Sequence, residues 1–385
     1  MTTPRRARIG SVAKVTSGHP FRSDQWTPDG VPAVKIANVK NGYIDLDTAP
    51  AFVSMEDSQA IGRFLLQQGD IVISMTGDVG RVARIITDSP LVLNQRVGLF
   101  TVDSTKADPL FFFYTLRTTP VRQEIVRTAF GSAQANTSPS LIEQVQIPLP
   151  PLETQRAIAE VLGALDDKIA ANRRTIDTAD TLRAAIWGKA TRDAHHVLLS
   201  SLAAFINGGA FTKGASGNGR PVVRIVEMNQ GVSDTTVRTD LEVKDDQVVR
   251  AGDFLMSWSG SLTTSRWFGE ESILNQHIFK VIPAEGVPLW AVASAVETKM
   301  PYFQFVASNK ATTMGHIQRH HLDEDVAWPT VTSALNLQGT ALWDLALAAE
   351  RENQILASTR DELLPLLMSG RITVRAASSR VEEVV

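Results

Sequence analysis

The sequence contains no cysteine in 385 residues, which excludes disulfide bonds and zinc sites built on thiolates. No apolar run reaches the ~18 residues that a membrane-spanning helix needs, and the first six residues are not followed by the apolar segment of a signal peptide. A Gly-x4-Gly-Lys-Ser/Thr phosphate loop is also absent, which excludes ATP-driven translocation by such a loop. These absences predict a cytoplasmic protein that does not cross a membrane.

A strong charge of either sign is missing as well. The net charge is −3, from 38 basic and 41 acidic residues. Residues 1–195 contribute +2 (22 basic, 20 acidic) and the remainder −5 (16 basic, 21 acidic). Proteins that bind nucleic acid unaided are usually more basic, because neutralised phosphates supply most of their non-specific affinity. If this chain binds DNA, either its basic residues cluster locally or a partner supplies much of the phosphate contact, and we favour the second.

What the chain does contain is an internal repeat, with residues 196–375 resembling residues 1–195. The clearest matching segments are 30–36 with 219–225, 69–74 with 252–257, and 93–95 with 274–276. The offset between the copies drifts only from 190 to about 181 residues, as a few loop deletions would produce. A duplicated unit predicts an approximate two-fold axis and two similar binding surfaces, and duplex DNA is a long ligand of matching symmetry.

Each copy begins with short β-type runs separated by turn residues, and a helix follows them. Strands are predicted at 33–39, 71–75, 81–86 and 97–102 in the first copy, and at 222–228, 254–258 and 278–282 in the second. Asp108 and Pro109 predict the N-cap and first residue of a helix that runs to about Arg127, and Pro288 begins a shorter counterpart. Each copy is therefore predicted to be a mixed α+β domain.

The segment from Pro151 to about Ala190 follows a different pattern. A 4-3-4-3 spacing typical of a coiled-coil seam is formed by Ile158, Leu162, Leu165, Ile169, Asn172, Ile176 and Ala179. A weaker seam in the second copy consists of Leu342, Ala346, Ala349, Asn353, Leu356, Leu363, Leu364 and Leu367. A helix of ~38 residues spans roughly 57 Å, more than one turn of DNA at ~34 Å. We expect the two long helices to pack antiparallel as a spacer.

Asn172 and Asn353 are polar positions near the middle of these two helices, at an offset of 181 residues. Mid-helix equivalents meet in an antiparallel pair that has a two-fold axis. We therefore expect the two side chains to hydrogen-bond to each other and to fix the register of the helices. The alternative is that each side chain faces solvent.

Several segments of the chain carry a resemblance to a known family. They are 69–74, 148–156 (PLPPLETQR), 158–159, 162–169 and 363–372. In their order, spacing and duplication they resemble Type I restriction–modification specificity subunits, over about residues 8 to 374. The junction before the second long helix departs from the family pattern. Residues 328–332 lack the double proline of the first junction and the acidic residue and glutamine that follow it.

The resemblance implies two target recognition domains, each reading one half of a split DNA sequence, and two long helices that set the gap and dock two adenine methyltransferase subunits. It implies a non-catalytic subunit without cofactors, which directs adenine methylation by its partner, and DNA cleavage when a restriction subunit joins. The implied divisions are 1–150 for the first target recognition domain, 151–195 for the central helix, 196–333 for the second domain, 334–375 for the C-terminal helix, and 376–385 for a disordered tail.

The remaining motifs do not require catalysis or a metal. The Pro-Pro pair at 150–151 lacks the Asn/Asp and aromatic flanks of an adenine methyltransferase loop, and the Glu-x-Lys pattern at 242–244 is short enough to arise by chance in proteins that are not nucleases. Three histidines have a spacing that could ligate zinc but lack a clear further ligand, so we predict no metal site and interpret them as part of a polar loop: His316, His320 and His321. Three tryptophans could stack on bases but are more often core residues near strands: Trp258, Trp267 and Trp290.

The repeat separates framework positions from candidate base-reading positions. Identical pairs that should serve the framework are Gly18/Gly208, Phe21/Phe211, Gly69/Gly252, Asp70/Asp253, Gly77/Gly260 and Asn94/Asn275. Polar positions that differ between the copies could read different bases; they are Asn38 against Glu227, Arg81 against Thr264, and Arg96 against His277, with Arg266 nearby. Arginine can bond guanine, asparagine adenine, and glutamate cytosine. Each of them could equally be an ordinary solvated side chain.

Two polar loops before the long helices, at 131–138 and 310–319, contain further candidates for contacts with bases. These are Gln134, Asn136 and Thr137 in the first loop, and Lys310, Thr312, Thr313, His316, Gln318 and Arg319 in the second. Candidates for phosphate contact are Lys14, Arg22, Lys35, Lys40, Lys213 and Arg224. Lys35 and Arg224 preserve their charge across the repeat, as contact with the uniform DNA backbone requires.

The sequence is therefore interpreted as a DNA specificity subunit: α+β, with two similar target recognition domains separated by two long antiparallel coiled-coil helices in a pseudo-two-fold repeat. Its expected partners are double-stranded DNA, two adenine methyltransferase subunits and, in cleaving complexes, restriction subunits. The alternatives are the recognition region of a fused enzyme, a duplicated protein-binding scaffold, and a specificity factor of a methylation-based phage-defence system that lacks Type I cleavage.

Overall fold

The computed structural model describes residues 5–46, 48–131, 135–308 and 315–384. It divides into two compact units. Unit 1 comprises Met1–Asp167 and Ala357–Val385, and unit 2 comprises Lys168–Leu356. Both divisions fall inside long helices, whereas the sequence predicts domain boundaries at the ends of those helices.

Unit 1 is rich in short strands. In chain order they are β1 (Arg6–Arg8), β2 (Ala13–Ser17), β3 (Trp26–Thr27), β4 (Val31–Val34), β5 (Phe52–Val53), β6 (Leu65–Leu66), β7 (Ile71–Ser74), β8 (Val82–Arg84), β9 (Leu91–Leu93), β10 (Val97–Val102) and β11 (Gln146–Pro148). An antiparallel sheet has the order β2-β10-β7-β8, and a second sheet has the order β3-β5-β4-β9-β6. Strands β4 and β9 are parallel, and β1 pairs with β11.

The helices of unit 1 follow their capping residues. They are α1 (Met55–Ala60), α2 (Pro109–Arg117), α3 (Thr119–Arg127), α4 (Pro139–Gln144) and the first part of α5 (Leu152–Ala190). Asp108 caps α2 as predicted, since its carboxylate accepts from the backbone N–H of Phe111 at 2.9 Å. The helix predicted to run unbroken to Arg127 is interrupted at Thr118, because Pro120 cannot donate a helical hydrogen bond.

Unit 2 has the same sheet orders as unit 1. Its strands are β12 (His195–Leu198), β13 (Ala203–Asn207), β14 (Arg220–Val223), β15 (Arg238–Thr239), β16 (Val248–Val249), β17 (Phe254–Ser257), β18 (Thr264–Arg266), β19 (Ser272–Leu274), β20 (Ile278–Pro283) and β21 (Asp325–Trp328). The orders β13-β20-β17-β18 and β15-β14-β19-β16, together with the pair β12-β21, match those of unit 1 strand by strand, apart from β3. Strands β14 and β19 are parallel, as β4 and β9 are.

The helices of unit 2 are α6 (Leu199–Leu202), α7 (Ile225–Gln230), α8 (Leu289–Ser308) and most of α9 (Ser333–Met368). The predicted strands at 33–39 and 222–228 are both too long. A turn follows Val34 and the short helix α7 follows Val223, because in each copy a polar side chain four residues after the valine accepts a hydrogen bond from the backbone N–H of the next residue, Lys35 or Arg224. Helix α8 has 20 residues and is longer than α2, contrary to the expected order. Short 3-10 turns lie at Ile9–Ser11, Ser23–Gln25, Gly62–Phe64, Asp245–Gln247 and Arg319–Asp323.

Tryptophan supplies much of the core of unit 2. Trp267 and Trp290 are 0% and 1% exposed, in agreement with the prediction that they are core residues. Trp258 is half-buried, and its indole N–H donates to Asn207 Oδ1 at 2.9 Å. In unit 1, Phe100 packs edge-on against Phe112, with ring centres 5.2 Å apart, which joins the antiparallel sheet to α2.

Helix α5 has 39 residues and α9 has 36, close to the predicted lengths. Within unit 2 the two helices contact each other in opposite directions: Lys168 bonds Glu352 at 3.2 Å, and farther along α5 the Arg183 guanidinium lies 5.5 Å from the ring centre of Trp343, which precedes Glu352. Within unit 1, Arg360 of α9 donates to Asp166 of α5 at 2.7 Å.

The expected hydrogen bond between Asn172 and Asn353 is not formed. Asn172 is buried and instead donates to Glu352 Oε2 at 2.6 Å. A carboxylate accepts a hydrogen bond more strongly than an amide, and Lys168 already holds Glu352 in place. Asn353 Oδ1 is buried without a hydrogen-bond partner among the described residues. The polar mid-helix contact is therefore a bond between an asparagine and a glutamate.

The sequence predicts a disordered tail, but the structure shows a helix there. Residues Val374–Glu382 form α10, whose N-cap Thr373 accepts from the N–H of Ala376. Ala377 and Val381, one turn apart, are both buried, so the helix has an apolar face that the polar composition of the tail conceals. None of the helices within the described ranges is both long enough and apolar enough to cross a membrane.

Candidate nucleic-acid interface

In unit 1, three polar side chains from separate elements meet beyond the end of β7. Thr76 Oγ1 donates to Asn136 Oδ1 at 2.7 Å, and Arg96 Nη1 lies 3.5 Å from Thr76 Oγ1. A β-bridge between Thr76 and Asn136 holds their backbones together. Thr76 is buried, Asn136 is half-buried and Arg96 is exposed. We call Thr76, Arg96 and Asn136 the unit 1 cluster.

In unit 2, Ser259, His277 and His316 form the corresponding group, which we call the unit 2 cluster. Ser259 Oγ lies 2.8 Å from His277 Nδ1, and a β-bridge joins Ser259 to His316. Both histidines are half-buried, and Ser259 is buried. The members are offset from those of the unit 1 cluster by 183, 181 and 180 residues, which is the offset of the sequence repeat.

The same backbone turns build both clusters. Gly77 and Gly260 follow the first cluster residue in each unit and have φ values of 73° and 72°, a region that favours glycine. The N–H of Gly77 donates to the carbonyl of Ala135 at 2.8 Å, and that of Gly260 donates to Gly315 at 2.9 Å. Each turn is thereby fixed to the loop that precedes the long helix, so the framework is shared and only the side chains differ.

Another shared framework position is Gly18, which corresponds to Gly208. A Cβ atom on Gly18 would overlap the carbonyl oxygens of Leu93 and Asn94, and one on Gly208 would overlap those of Leu274 and Asn275. The close approach brings β2 and β13 against the turns that carry Arg96 and His277. These glycines therefore belong to the framework, as the repeat indicates.

The interpretation of Asn38 as a base reader is wrong. Its side chain is 1% exposed and ties together a loop. The Oδ1 atom accepts from the N–H of Lys35 at 2.8 Å, and Nδ2 donates to the carbonyls of Asp45 and Thr48 at 2.9 and 2.6 Å. With both ends of the amide occupied and no access to solvent, Asn38 holds the turn after β4.

Its counterpart Glu227 also stabilises a turn. The carboxylate is 3% exposed, accepts from the N–H of Arg224 at 3.0 Å, and is bonded by the Arg224 guanidinium through Nε at 2.9 Å. Burial alone would raise the pKa of Glu227, but the hydrogen bonds from the Arg224 side chain and backbone outweigh it and lower the pKa. Glu227 is therefore not a base reader, and Arg224 is committed to an internal ion pair rather than free for phosphate.

We expect Glu227→Gln to lower the free energy of unfolding of unit 2 by about 1.5–3 kcal/mol at pH 7, the contribution of hydrogen bonds to a charged group. Because the folded pKa lies below the ordinary 4.5, the stabilisation is fully present above that pH and is lost as the pH falls through the folded pKa. Urea unfolding followed by tryptophan fluorescence should show that the difference in free energy of unfolding between parent and variant becomes smaller below about pH 4.5. A gap that stays constant down to pH 3 would contradict this role.

Three further predicted readers are held inside the fold. Arg81 Nη2 donates to the carbonyl of Ile36 at 2.7 Å, and its side chain is 20% exposed. Thr137 is 4% exposed, with its hydroxyl 2.6 Å from that of Thr128. Arg266 is 6% exposed and bonds two carboxylates of the long helices. Internal partners hold all three in place, although Arg81 Nε has no hydrogen-bond partner among the described residues, so all three are structural.

The other predicted residues are more open. Lys14, Arg22, Lys213, Gln318 and Arg319 are exposed, and Lys35, Lys40 and Thr264 are half-buried. Arg22 pairs with Asp24 at 3.4 Å and Lys40 with Asp45 at 3.7 Å, both weak surface pairs. Gln134, Lys310, Thr312 and Thr313 lie outside the described residues.

A cavity of about 310 Å³ adjoins the unit 2 cluster and is lined by Trp258, His316, Gln318 and Arg319, among others. Trp258 packs against His277, with ring centres 5.8 Å apart. Thr76 and Ser259 were not recognised from the sequence as parts of a site, and Trp258, which could stack on bases, was interpreted as a core residue. The signal was available, since Thr76 and Ser259 precede the paired glycines at the repeat offset. No group of three His, Asp or Glu side chains in the described ranges could hold a metal ion.

Residues 6–179 match the family model described as Type I restriction modification DNA specificity domain. Over 172 residues the chain is 31% identical to the Type I restriction enzyme MjaVIII specificity subunit of Methanocaldococcus jannaschii, covering 43% of this chain and 40% of that protein. Over 200 residues it is 26% identical to the EcoBI specificity subunit of Escherichia coli, covering 49% and 40%. The matches thus span about 40% of the length of these curated relatives.

A crystal structure of a Type I restriction–modification S subunit from M. genitalium is similar over nearly the whole chain. The TM-score is 0.55 at 16% identity, covering 95% of this chain and 99% of the other. At this identity the similarity concerns the fold, which the two chains share.

Proposed function

We propose, from the premise that residues 6–179 belong to the family of Type I restriction–modification DNA specificity domains, that this chain reads a bipartite DNA sequence for partner enzymes. Unit 1 would read one half of the sequence and unit 2 the other. In this proposal the chain has no catalytic step of its own and no cofactor. It directs adenine methylation by a partner, and cleavage where a restriction subunit joins.

The observation that carries the proposal is the pair of clusters. The same turns and β-bridges hold Thr76, Arg96 and Asn136 in one unit and different polar side chains in the other. Arginine can donate two bonds to guanine and asparagine can pair with adenine, whereas a histidine offers a single ring nitrogen on either side. A conserved framework with exchanged polar side chains is what two readers of unlike sequences require.

The long helices supply the proposed spacing. At 1.5 Å per residue, the 39 residues of α5 and 36 of α9 correspond to roughly 58 and 54 Å, longer than one DNA turn of ~34 Å. We propose that they form the antiparallel coiled coil of a pseudo-two-fold molecule, with the internal repeat as its origin. The reversed contacts within unit 2 support this arrangement.

Charge supports a role for partners. A net charge of −3 supplies little non-specific attraction to DNA, so other subunits would provide most of the phosphate contacts. We propose that these partners are adenine methyltransferase subunits, two for the two-fold arrangement, with a restriction subunit in complexes that cleave. The exposed Lys14, Arg22 and Lys213 and the half-buried Lys35 would add local phosphate contacts.

The proposal is tested by mapping methylated adenines in the native host, with and without the gene for this chain. We expect one set of methylated sites, each a split sequence with a fixed gap, to disappear on deletion and to return on complementation. An adenine methyltransferase should co-purify with the complemented chain. An unchanged methylation map, with no methyltransferase in the purified material, would contradict the proposal and favour a protein-binding scaffold.

A further inference from the structure

Unit 1 contains a cavity of about 450 Å³ that the proposed function does not use. It lies where the α2–α3 junction meets the last turns of α9 and the pair β1–β11. The apolar side of its wall is formed by Pro120, Val121, Pro148, Leu364, Pro365 and Met368. The polar residues that line it are Arg6, Asn41, Arg117, Thr118, Thr119, Asp361 and Ser369. Its volume is within the range of small-molecule sites, ~300–1,000 Å³.

Arg117 is the unusual member of this wall. Its Nε is buried without a hydrogen-bond partner, and no carboxylate in the described part of the chain pairs with it. Arg117 lies over the ring of Phe113, 5.1 Å from its centre, and close to the backbone of Gly42, where a Cβ atom would crowd the guanidinium. Burial lowers the pKa of Arg117, an effect to which the nearby Arg360 adds. A held, desolvated guanidinium without an anion is poised to bind one.

The neighbouring acids are already committed. Arg360 bonds Asp166 at 2.7 Å and Asp361 at 2.8 Å, and the Tyr114 hydroxyl also donates to Asp166 at 2.6 Å. One arginine therefore bonds both carboxylates directly and leaves Arg117 without a carboxylate in bonding contact within the described part of the chain, although the two arginines and two carboxylates together carry no net charge. Because these two acids remain close by, a ligand with one negative charge suits the site better than a doubly charged phosphate.

The internal repeat indicates what shape the cavity accepts. Met368 lies 181 residues after Trp187, at the same offset as Asn353 from Asn172. In unit 2, Trp187 is 3% exposed and packs against the rings of Trp290 and Trp328, with centres 5.9 and 5.5 Å apart. Unit 1 has the smaller, unbranched Met368 at this position, beside an open cavity. A flat aromatic ring would restore the packing that the indole supplies in unit 2.

We propose that this cavity binds a small aromatic carboxylate, with the ring against Met368 and Leu364 and the carboxylate on Arg117. The ligand is a free small molecule, and the site is distinct from the clusters that face DNA in the proposed function. Occupancy would join the end of α9 to the α2–α3 junction, and so would stabilise unit 1 by an amount that rises with the logarithm of ligand concentration above the Kd.

The test uses the full-length chain and four probes in isothermal titration calorimetry: indole-3-acetate, phenylacetate, neutral indole and cationic tryptamine. We expect saturable binding of the two carboxylates, weaker binding of indole, and none of tryptamine. Arg117→Met keeps the apolar stem but removes the charge. It should weaken the binding of indole-3-acetate at least tenfold and leave the affinity for indole unchanged. Arg127→Met is the matched control, because Arg127 is an exposed arginine on α3 that pairs with Glu124. It should change the affinity for neither probe.

A second variant keeps the test decisive if Arg117→Met does not fold. Met368→Trp places in unit 1 the residue that fills this position in unit 2, and should abolish binding of every probe without lowering the melting temperature. Absence of saturable carboxylate binding up to 10 mM, a concentration chosen on the order of the weakest specific sites, would overturn the proposal. Equal binding of tryptamine and indole-3-acetate would overturn it as well. None of these outcomes depends on DNA or a methyltransferase, so failure here leaves the proposed function standing.

Discussion

Arg266→Met is expected to lower the free energy of unfolding of unit 2 by about 3–5 kcal/mol, the usual cost of removing one partner from a buried ion pair. The guanidinium, 4% exposed, bonds Glu350 through Nε and Nη2 at 2.9 Å each and Asp180 at 3.2 Å. Its Cζ lies 4.5 Å from the ring centre of Trp343. Burial raises the pKa of Glu350, and the hydrogen bonds from Arg266 offset part of that rise. Without Arg266, Glu350 must either stay charged and unpaired or take up a proton.

The measurement is urea unfolding followed by tryptophan fluorescence, which suits this unit. Of the seven tryptophans all but Trp26 lie in unit 2, so the signal reports its unfolding even if unit 1 unfolds separately. Arg238→Met is the matched control, since Arg238 pairs with Glu270 at 2.6 Å but the two side chains are 34% and 49% exposed. We expect the control substitution to lower the free energy of unfolding by less than about 1 kcal/mol. Equal effects of the two substitutions would show that the buried cluster has no special role.

If Arg96 bonds a guanine, Arg96→Ala should reduce the preference for that base pair over the other base pairs at the same position. The expected loss is about 1–3 kcal/mol, or roughly 5- to 150-fold in relative affinity. The side chain is exposed, and its internal contact to Thr76 is long at 3.5 Å, so little holds it away from a base. Affinity should be measured by fluorescence anisotropy, for the chain with its co-purified methyltransferase, on the duplex that the adenine map identifies and on single-base variants of it.

The expected signature is a loss of preference rather than a uniform loss of affinity. Arg127→Ala in the same unit removes an exposed arginine that pairs with Glu124 and is not a member of the cluster, and should leave the preference unchanged. A drop in affinity of equal size on every duplex would instead indicate that Arg96 contacts phosphate. That outcome would remove Arg96 from the reading site.

The long helices and the repeated glycine turns were accessible from the sequence, because both are encoded by local patterns. Proline at 150–151 and the regular apolar spacing predict α5 to within a residue at its start. The repeated glycines, such as Gly77 and Gly260, identify turns that the structure confirms as left-handed. Such features need no knowledge of which side chains meet across the fold.

The partners of buried polar residues were not accessible in this way. Asn38 and Glu227 differ between the copies, as base readers would, yet each bonds back to its own turn. Likewise, Asn172 bonds Glu352 rather than Asn353, which depends on the register of two helices far apart in sequence. A difference between the repeat copies is expected of residues that read different bases, but alternative turn-stabilising groups differ in the same way, and the sequence does not show which of them are buried.

The central claim is that each unit reads its own half of one DNA sequence. It is tested most directly by selecting bound duplexes from a random pool with the parent complex, with Arg96→Ala and with His277→Ala, and sequencing what each retains. We predict a split motif for the parent, degeneracy confined to one half for Arg96→Ala, and degeneracy confined to the other half for His277→Ala. Degeneracy of both halves in either variant, or an unaltered motif in both, would contradict the claim.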